Sequence, residues 1–334
     1  MPVFANKLCA MRSILITGGT GSLGNALVRR LIDLPTVERI VIFSRDEWKQ
    51  AEMAERYPPY GKVRYMIGDV RDERRLGQAM FRVDTVIHAA ALKRVDSVAY
   101  NPHEVIKTNV EGTVNVIQAA MGQAEKVMVI SSDKAVEPTN IYGASKMMAE
   151  QYAVSSNSYA YPRGTRVSVC RYGNVLASRG SMYYVFRDFI ERGEAVPLTH
   201  PKCTRFLITL NDAVYFVLAS IVKMVGGEIF VPRLKSVRIV DFIEAMGSTN
   251  FVVTGMRAGG EKLHESMIGR TEAHRAIADN GLAYTIKPEL HPWTADDMAG
   301  KPFEGDGFNS EDNEFYSVAE IKDILDNERL GFSL

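Results

Sequence analysis

Short apolar runs alternate with longer amphipathic segments through the first half of the chain. SILIT (Ser13–Thr17), RIVIF (Arg39–Phe43), VRYMI (Val63–Ile67), TVIHAA (Thr85–Ala90), KVMVIS (Lys126–Ser131) and RVSVCRY (Arg166–Tyr172) are apolar nearly throughout and bounded by Gly, Asp or Ser. That pattern predicts strands buried on both faces. Between them, NALVRRLIDL and the stretch from Glu104 to Met121 place apolar residues at helical spacing. Strand–helix alternation of this kind predicts an α/β fold built on a doubly wound parallel sheet with right-handed crossovers.

After Tyr172 the rhythm changes. GNVLASRGS is rich in Gly and Ser, and MYYVFRDFIERG reads as a helix stopped at Gly193. EIFVPR and VRIVDFIEAM follow as short mixed elements, and from about Ala273 the chain is more polar and less periodic. The expected organisation is therefore a tail over 1–11, a coenzyme-binding domain over 12–172 to which later segments return, and a smaller substrate-binding part over 173–334. The ligand crevice is expected between the two parts.

Composition narrows the function classes. Forty Lys plus Arg balance forty Asp plus Glu. Without a basic excess, nucleic acid or an anionic membrane is not the expected partner. Cys9, Cys170 and Cys203 show neither CxxC nor metal-ligand spacing, and the six histidines are scattered. No metal site is expected, and unpaired thiols suit a reducing cytoplasm. Met1–Met11 lacks the apolar core of a signal peptide, and no apolar run approaches the roughly 20 residues needed to span a bilayer.

SILIT runs straight into GGTGSLG (Gly18–Gly24) and then into a helical pattern. Gly18, Gly21 and Gly24 allow a sharp turn, close approach of backbone to a pyrophosphate, and tight packing of helix on strand. The anion would sit at the helix N-terminus, over Thr17, Ser22 and Leu23. Ser44 and Arg45 end the second strand where NAD-binding chains place an acid, and Lys49 lies one turn on. This pattern favours the 2′-phosphate of NADP, although a solvated Arg45–Asp46 corner would look the same. Asp69 and Val70, after the third strand, are placed to meet the adenine.

Tyr142 and Lys146, in YGASK, share one face of a helix. A lysine beside a phenol favours phenolate, which can take a hydroxyl proton during hydride transfer. Upstream, the fifth strand finishes in Ser131-Ser132-Asp133-Lys134. Ser132 can hydrogen-bond a reacting oxygen, while Asp133 and Lys134 add an acid and a base of different proton affinity. Elimination requires such a pair and simple alcohol oxidation does not.

TGGTGSLG, FSRDEWKQ, GDVRD, HAAALKRVD, NPHEVIKTNVEGT, SSDKA, YGASK, CRYGNV, TRFLIT, GGEIFVPR and GGEKLHE together span most of the chain. They resemble the extended short-chain dehydrogenase/reductases, whose coenzyme domain is a Rossmann fold. Within that superfamily they are similar to the soluble inverting UDP-N-acetylglucosamine 4,6-dehydratases of pseudaminic acid and capsule sugar pathways. The resemblance implies bound NADP, a UDP-sugar substrate, a cytoplasmic homo-oligomer (dimer or hexamer), and no nucleic-acid or membrane partner. It implies that Tyr142 and Lys146 serve C4 oxidation, that Lys134 removes the C5 proton, and that Asp133 protonates the departing C6 hydroxyl. It also places Ala89, Ala90, Lys93 and Asn109 near the nicotinamide, with Lys93, Asn174, Arg205, Arg257 and Glu261 on the nucleotide-sugar side. Arginine suits a diphosphate because its fork binds two oxygens at once. The chain departs from the family in carrying Ser132 where threonine is frequent. Its tail from Phe308 is more similar to the capsule and O-antigen members. A C4 or C5 epimerase of the same superfamily, or an NADP-binding regulator, are the competing readings.

Overall fold

The six apolar runs form β1 (Ser13–Thr17), β2 (Arg39–Ser44), β3 (Val63–Ile67), β4 (Thr85–His88), β5 (Lys126–Ser132) and β6 (Arg166–Tyr172) in a computed structural model. It describes residues 11–160, 164–257, 259–279, 283–289, 298 and 300–331. The expected tail and Cys9 fall almost wholly outside those residues, while Met11 is buried in the core. β4 stops two residues earlier than its apolar run because the backbone of Ala89 and Ala90 turns onto Thr17. The Ala89 N–H donates to the Thr17 carbonyl at 3.2 Å, and the Ala90 N–H to its hydroxyl at 3.3 Å.

Shorter strands complete the fold: β7 (Asn174–Val175), β8 (Val196–Leu198), β9 (Thr204–Ile208), β10 (Ile229–Pro232), β11 (Ser236–Arg238), β12 (Phe251–Val253), β13 (Ser266–Ile268), β14 (Ala276–Asp279), β15 (Ala283–Ile286), β16 (Lys301–Pro302) and β17 (Phe308–Asn309). The main sheet runs β3-β2-β1-β4-β5-β6-β10-β15-β14-β16. Pairing is parallel from β3 to β10 and antiparallel beyond it. The weakly periodic region after Ala273 thus contributes β14 to β16 to the sheet. Its alternation is hard to read because those strands are short and partly exposed.

Side chains alternate cleanly across this sheet. Leu15, Val41, Phe43, Val127, Val129, Val167 and Val169 enter one core, with Leu76 and Val116 from helices Glu73–Ala79 and Gly112–Ala120. Ile14, Ile16, Ile40, Ile42, Met128 and Cys170 enter the other, with Leu27 from helix Ser22–Leu31 and Val217 from helix Leu210–Lys223. Both faces are therefore covered, as a doubly wound sheet requires. A third core joins helices Met182–Glu191, Ile239–Ala245 and Val318–Gly331 through Phe186, Phe242, Ile321 and Leu325. Strand order reverses between β1 and β4, so the crevice at their carboxyl ends is where such a sheet presents a ligand site.

Candidate active site

β1 delivers Thr17 and Gly18 to that crevice. Gly18 adopts φ +65°, and a Cβ there would lie 2.9 Å from the Ala90 backbone. A Cβ on Gly24 would sit 2.2 Å from the Gly19 carbonyl oxygen, so helix Ser22–Leu31 packs on the strand only without one. Gly21 precedes that helix and offers no side-chain cap, which leaves the first-turn N–H groups facing the crevice. Leu23 packs on the core behind the loop, and Ser22 accepts the Arg179 N–H at 3.1 Å. The loop fits a dinucleotide pyrophosphate.

At the end of β2, Ser44 is buried and its hydroxyl accepts from Gln50 at 3.0 Å. Arg45 is exposed and lies 3.6 Å from Asp69, which also holds Arg71 at 2.6 Å. Lys49 stands 2.5 Å from Asp46, the residue that caps helix Glu47–Arg56. Of the two expected cations, Arg45 is therefore an exposed arginine and Lys49 is half of a capping ion pair. Val70 is buried against Gly112, where a Cβ would approach to 2.7 Å.

His88, at the end of β4, went unremarked in the sequence because a single His in an apolar run carries no signal. It is buried between the Thr17 and Thr113 hydroxyls at 2.7 and 3.0 Å. Burial, reinforced by the Lys146 charge, pulls it down to about 3. Unfolded chains take a proton on this ring below pH 6.5 while the native state refuses it, so stability falls as pH drops through that window. From pH 6.5 to 5 the loss is about 2 kcal/mol. His88→Gln is expected to remove that component, which urea unfolding at pH 7 and pH 5 measures.

The stretch Glu104–Met121, read as one helix, is interrupted. Pro102–Val105 leads into a π-helical turn at Ile106–Glu111 before the α-helix resumes at Gly112. Such turns commonly mark functional sites. Here the turn presents Asn109, whose amide donates to the Leu92 carbonyl at 2.9 Å and to Ser145 at 3.0 Å, while its oxygen accepts the Leu92 N–H at 2.8 Å. Asn109 thus ties the loop carrying Ala89, Ala90 and exposed Lys93 to the Tyr142 helix.

Asn140 caps helix Ile141–Ser155, which buries Tyr142 and Lys146. Lys146 donates to the Ile130 carbonyl at 2.5 Å, and burial, partly offset by Glu150, brings it down to about 8. The sequence pattern expects Lys146 to lower the Tyr142 phenol. Instead burial pushes the phenol up, and the opposing influences are the Lys134 charge and a hydrogen bond with Ser132. Ser132, Asp133 and Lys134 lie where β5 passes into a short 3-10 turn at Asp133–Ala135. Ser132 donates to Asp133 Oδ1 at 2.8 Å, and Lys134 Nζ reaches the same oxygen at 2.9 Å. All five expected catalytic residues meet at one end of β5.

Asn174 joins them, its oxygen 3.4 Å from Lys134 Nζ. Arg205, on β9, is buried and donates to Glu261 at 2.9 Å, and exposed Arg257 reaches the same carboxylate at 2.8 Å. Burial raises Glu261, but the Arg257 hydrogen bond and both guanidinium charges outweigh it and hold the carboxyl below its usual range. Glu265 escaped the sequence reading. It is buried and stands 3.3 Å from Lys134 Nζ, 3.9 Å from Arg205 and 3.6 Å from Lys262. It closes the GGEKLHE motif, but it sits in a turn segment without periodicity, so nothing local singled it out as a site residue.

Behind the site, Arg171 is fully buried. It takes Glu150 in both arms, at 3.0 and 2.7 Å, and reaches Glu272 at 2.6 Å and the Met267 carbonyl at 2.8 Å. This pins β6, the Tyr142 helix and the segment after β13 together.

Residues 14–287 match the family described as polysaccharide biosynthesis protein. The chain is 44% identical over 282 residues to the UDP-N-acetylglucosamine 4,6-dehydratase (inverting) of Campylobacter jejuni serotype O:2, covering 84% of each. It is 40% identical over 285 residues to the UDP-glucose 4-epimerase of Rickettsia canadensis, covering 82% of each. The solved structure of Pen from Bacillus thuringiensis superposes with a TM-score of 0.87 at 30% identity, over 96% of this chain and 98% of that one. The chain belongs to this polysaccharide biosynthesis family, among the extended short-chain dehydrogenase/reductases that include the nucleotide-sugar dehydratases and epimerases.

Proposed function

We propose that the protein is an NADP-dependent, C5-inverting UDP-N-acetylglucosamine 4,6-dehydratase, forming a UDP-2-acetamido-2,6-dideoxy-hexos-4-ulose. The observation that carries this reading is the Asp133–Lys134 pair set 2.9 Å apart beside Tyr142. An acid and a base at the end of β5 beside the oxidising tyrosine suit loss of water across C5 and C6, which alcohol oxidation alone does not need. The Campylobacter relative supports the same choice.

A nicotinamide coenzyme held by the glycine loop, Arg45 and Lys146 supplies the hydride acceptor for C4 and the donor for C6. Tyr142 takes the C4 hydroxyl proton, while Ser132 orients that oxygen. The new ketone acidifies C5, and Lys134 removes its proton. Asp133 delivers a proton to the C6 hydroxyl, which leaves as water. Reprotonation of C5 on the opposite face inverts that centre. Arg205, Arg257 and Glu261 hold the nucleotide, with residues 173–334 supplying most of the substrate side. A homo-oligomer in the cytoplasm is part of this reading, and exposed Met147 and Met148 on the Tyr142 helix offer an apolar face for the subunit contact. No helix among the described residues is long and apolar enough to cross a membrane.

The name of the Rickettsia relative favours a second reading, C4 epimerisation. Incubation of the purified protein with UDP-N-acetylglucosamine in deuterated water, without added coenzyme, separates the two by proton NMR. The expected product is a 4-keto-6-deoxy sugar with deuterium at C5 and inverted C5 coupling. A C4 epimer with no deuterium would establish the epimerase instead.

A further inference from the structure

Lys134 Nζ has three oxygen neighbours: Asp133 Oδ1 at 2.9 Å, Glu265 Oε1 at 3.3 Å and Asn174 Oδ1 at 3.4 Å. Three acceptors match the three N–H bonds of an ammonium. Burial opposes that charge, but Asp133 and Glu265 outweigh burial and Arg205, so Lys134 is raised and rests protonated. An ammonium cannot take the C5 proton. Meanwhile Asp133 Oδ2 and Glu265 Oε2 are buried without a hydrogen-bond partner, so each carboxylate has an oxygen in reserve.

We propose that Glu265 is a positioning residue for the elimination: it holds the Lys134 ammonium in the resting site and sets how readily that nitrogen hands a proton to Asp133. The inference rests on the dehydratase reading above. The transfer breaks one N–H bond and forms one O–H bond. It turns an ammonium–carboxylate pair into an amine and a carboxylic acid, with no change in net charge. Those are the base that takes the C5 hydrogen and the acid that protonates the C6 hydroxyl. Glu265 opposes the transfer through its charge and keeps the amine aimed through its oxygen. The charged and titratable groups facing this pair are Tyr142 from its helix, Arg205 from β9, and Lys262 and Glu265 from the segment before β13.

The test uses the full-length holoenzyme with UDP-N-acetylglucosamine and follows kcat for the 4-keto product across pH. Glu265→Gln keeps the shape and an acceptor oxygen but deletes the charge. The profile is expected to move to lower pH, by about one unit or more, because the Lys134 ammonium loses a neighbouring anion. Glu265→Asp is expected to restore the wild-type limbs. Lys262→Met removes a cation and is expected to move the limbs upward, and this variant carries the test if Glu265→Gln does not fold. Unmoved limbs in a folded Glu265→Gln or Lys262→Met variant, with wild type turning over, overturn the Glu265 assignment alone. Silent wild-type protein overturns the dehydratase reading, and this inference with it.

Discussion

Lys134→Ala is expected to slow formation of the 4-keto-6-deoxy sugar by about 10²- to 10⁴-fold, the usual worth of a positioned acid or base. The same variant is expected still to oxidise the sugar at C4, but more slowly than wild type, because the Lys134 charge also favours the Tyr142 phenolate. Tyr142, Ser132 and Lys146 remain in place, and Lys146 is anchored independently through the Ile130 carbonyl. Asp133 keeps its hydrogen bond from Ser132, and Glu265 keeps Arg205 and Lys262 nearby, so the site does not lose every partner at once. Near-ultraviolet absorbance of reduced nicotinamide reads the first half-reaction, and proton NMR reads the second. Accumulated reduced coenzyme with little product is the expected signature. Dehydration at the native rate would remove Lys134 from the role of base.

The largest expected loss of stability comes from Arg171→Met. The substitution leaves the Glu150 and Glu272 carboxylates facing each other in the interior without the guanidinium that bonds both. Breaking a buried pair in this way costs about 3–5 kcal/mol, because the remaining charge is stranded out of water. Urea unfolding at neutral pH measures it. Adding Glu150→Gln and Glu272→Gln to Arg171→Met is expected to recover part of the loss, since neutral amides are less costly to bury. Recovery in the triple variant shows that stranded charge, rather than lost packing, dominates.

The strands of the parallel sheet were legible in the amino-acid order because β1, β2, β5 and β6 are buried on both faces and need continuous apolar runs. That Ser132, Asp133, Lys134, Tyr142 and Lys146 come together was legible because they lie within one strand, one turn and one helix. Partnerships across distance were not. Arg171 meets Glu272 across 101 residues, and Lys134 meets Glu265 from separate elements, so neither leaves a local period. Tyr142 and Lys146 were readable as neighbours on a helix, yet the cation whose charge favours the phenolate is Lys134. The π-helical turn that presents Asn109 has the same apolar spacing as an ordinary helix, and one extra residue in a turn does not show in composition.

The order of strands in the main sheet also bears on how the protein is made. β6 is closed along its outer edge by β10, and β10 by β15, through Ile229↔Val169 and Ile229↔Ile286. As the chain leaves the ribosome, the strands up to β6 can assemble while the segment that covers their last edge is still being synthesised. During that interval nascent protein carries an open row of backbone donors and acceptors beside an apolar strand, the form most prone to pair with another chain. Glu272 follows β10 by about forty residues, so the buried Arg171 charge also waits for the segment after β13 to emerge.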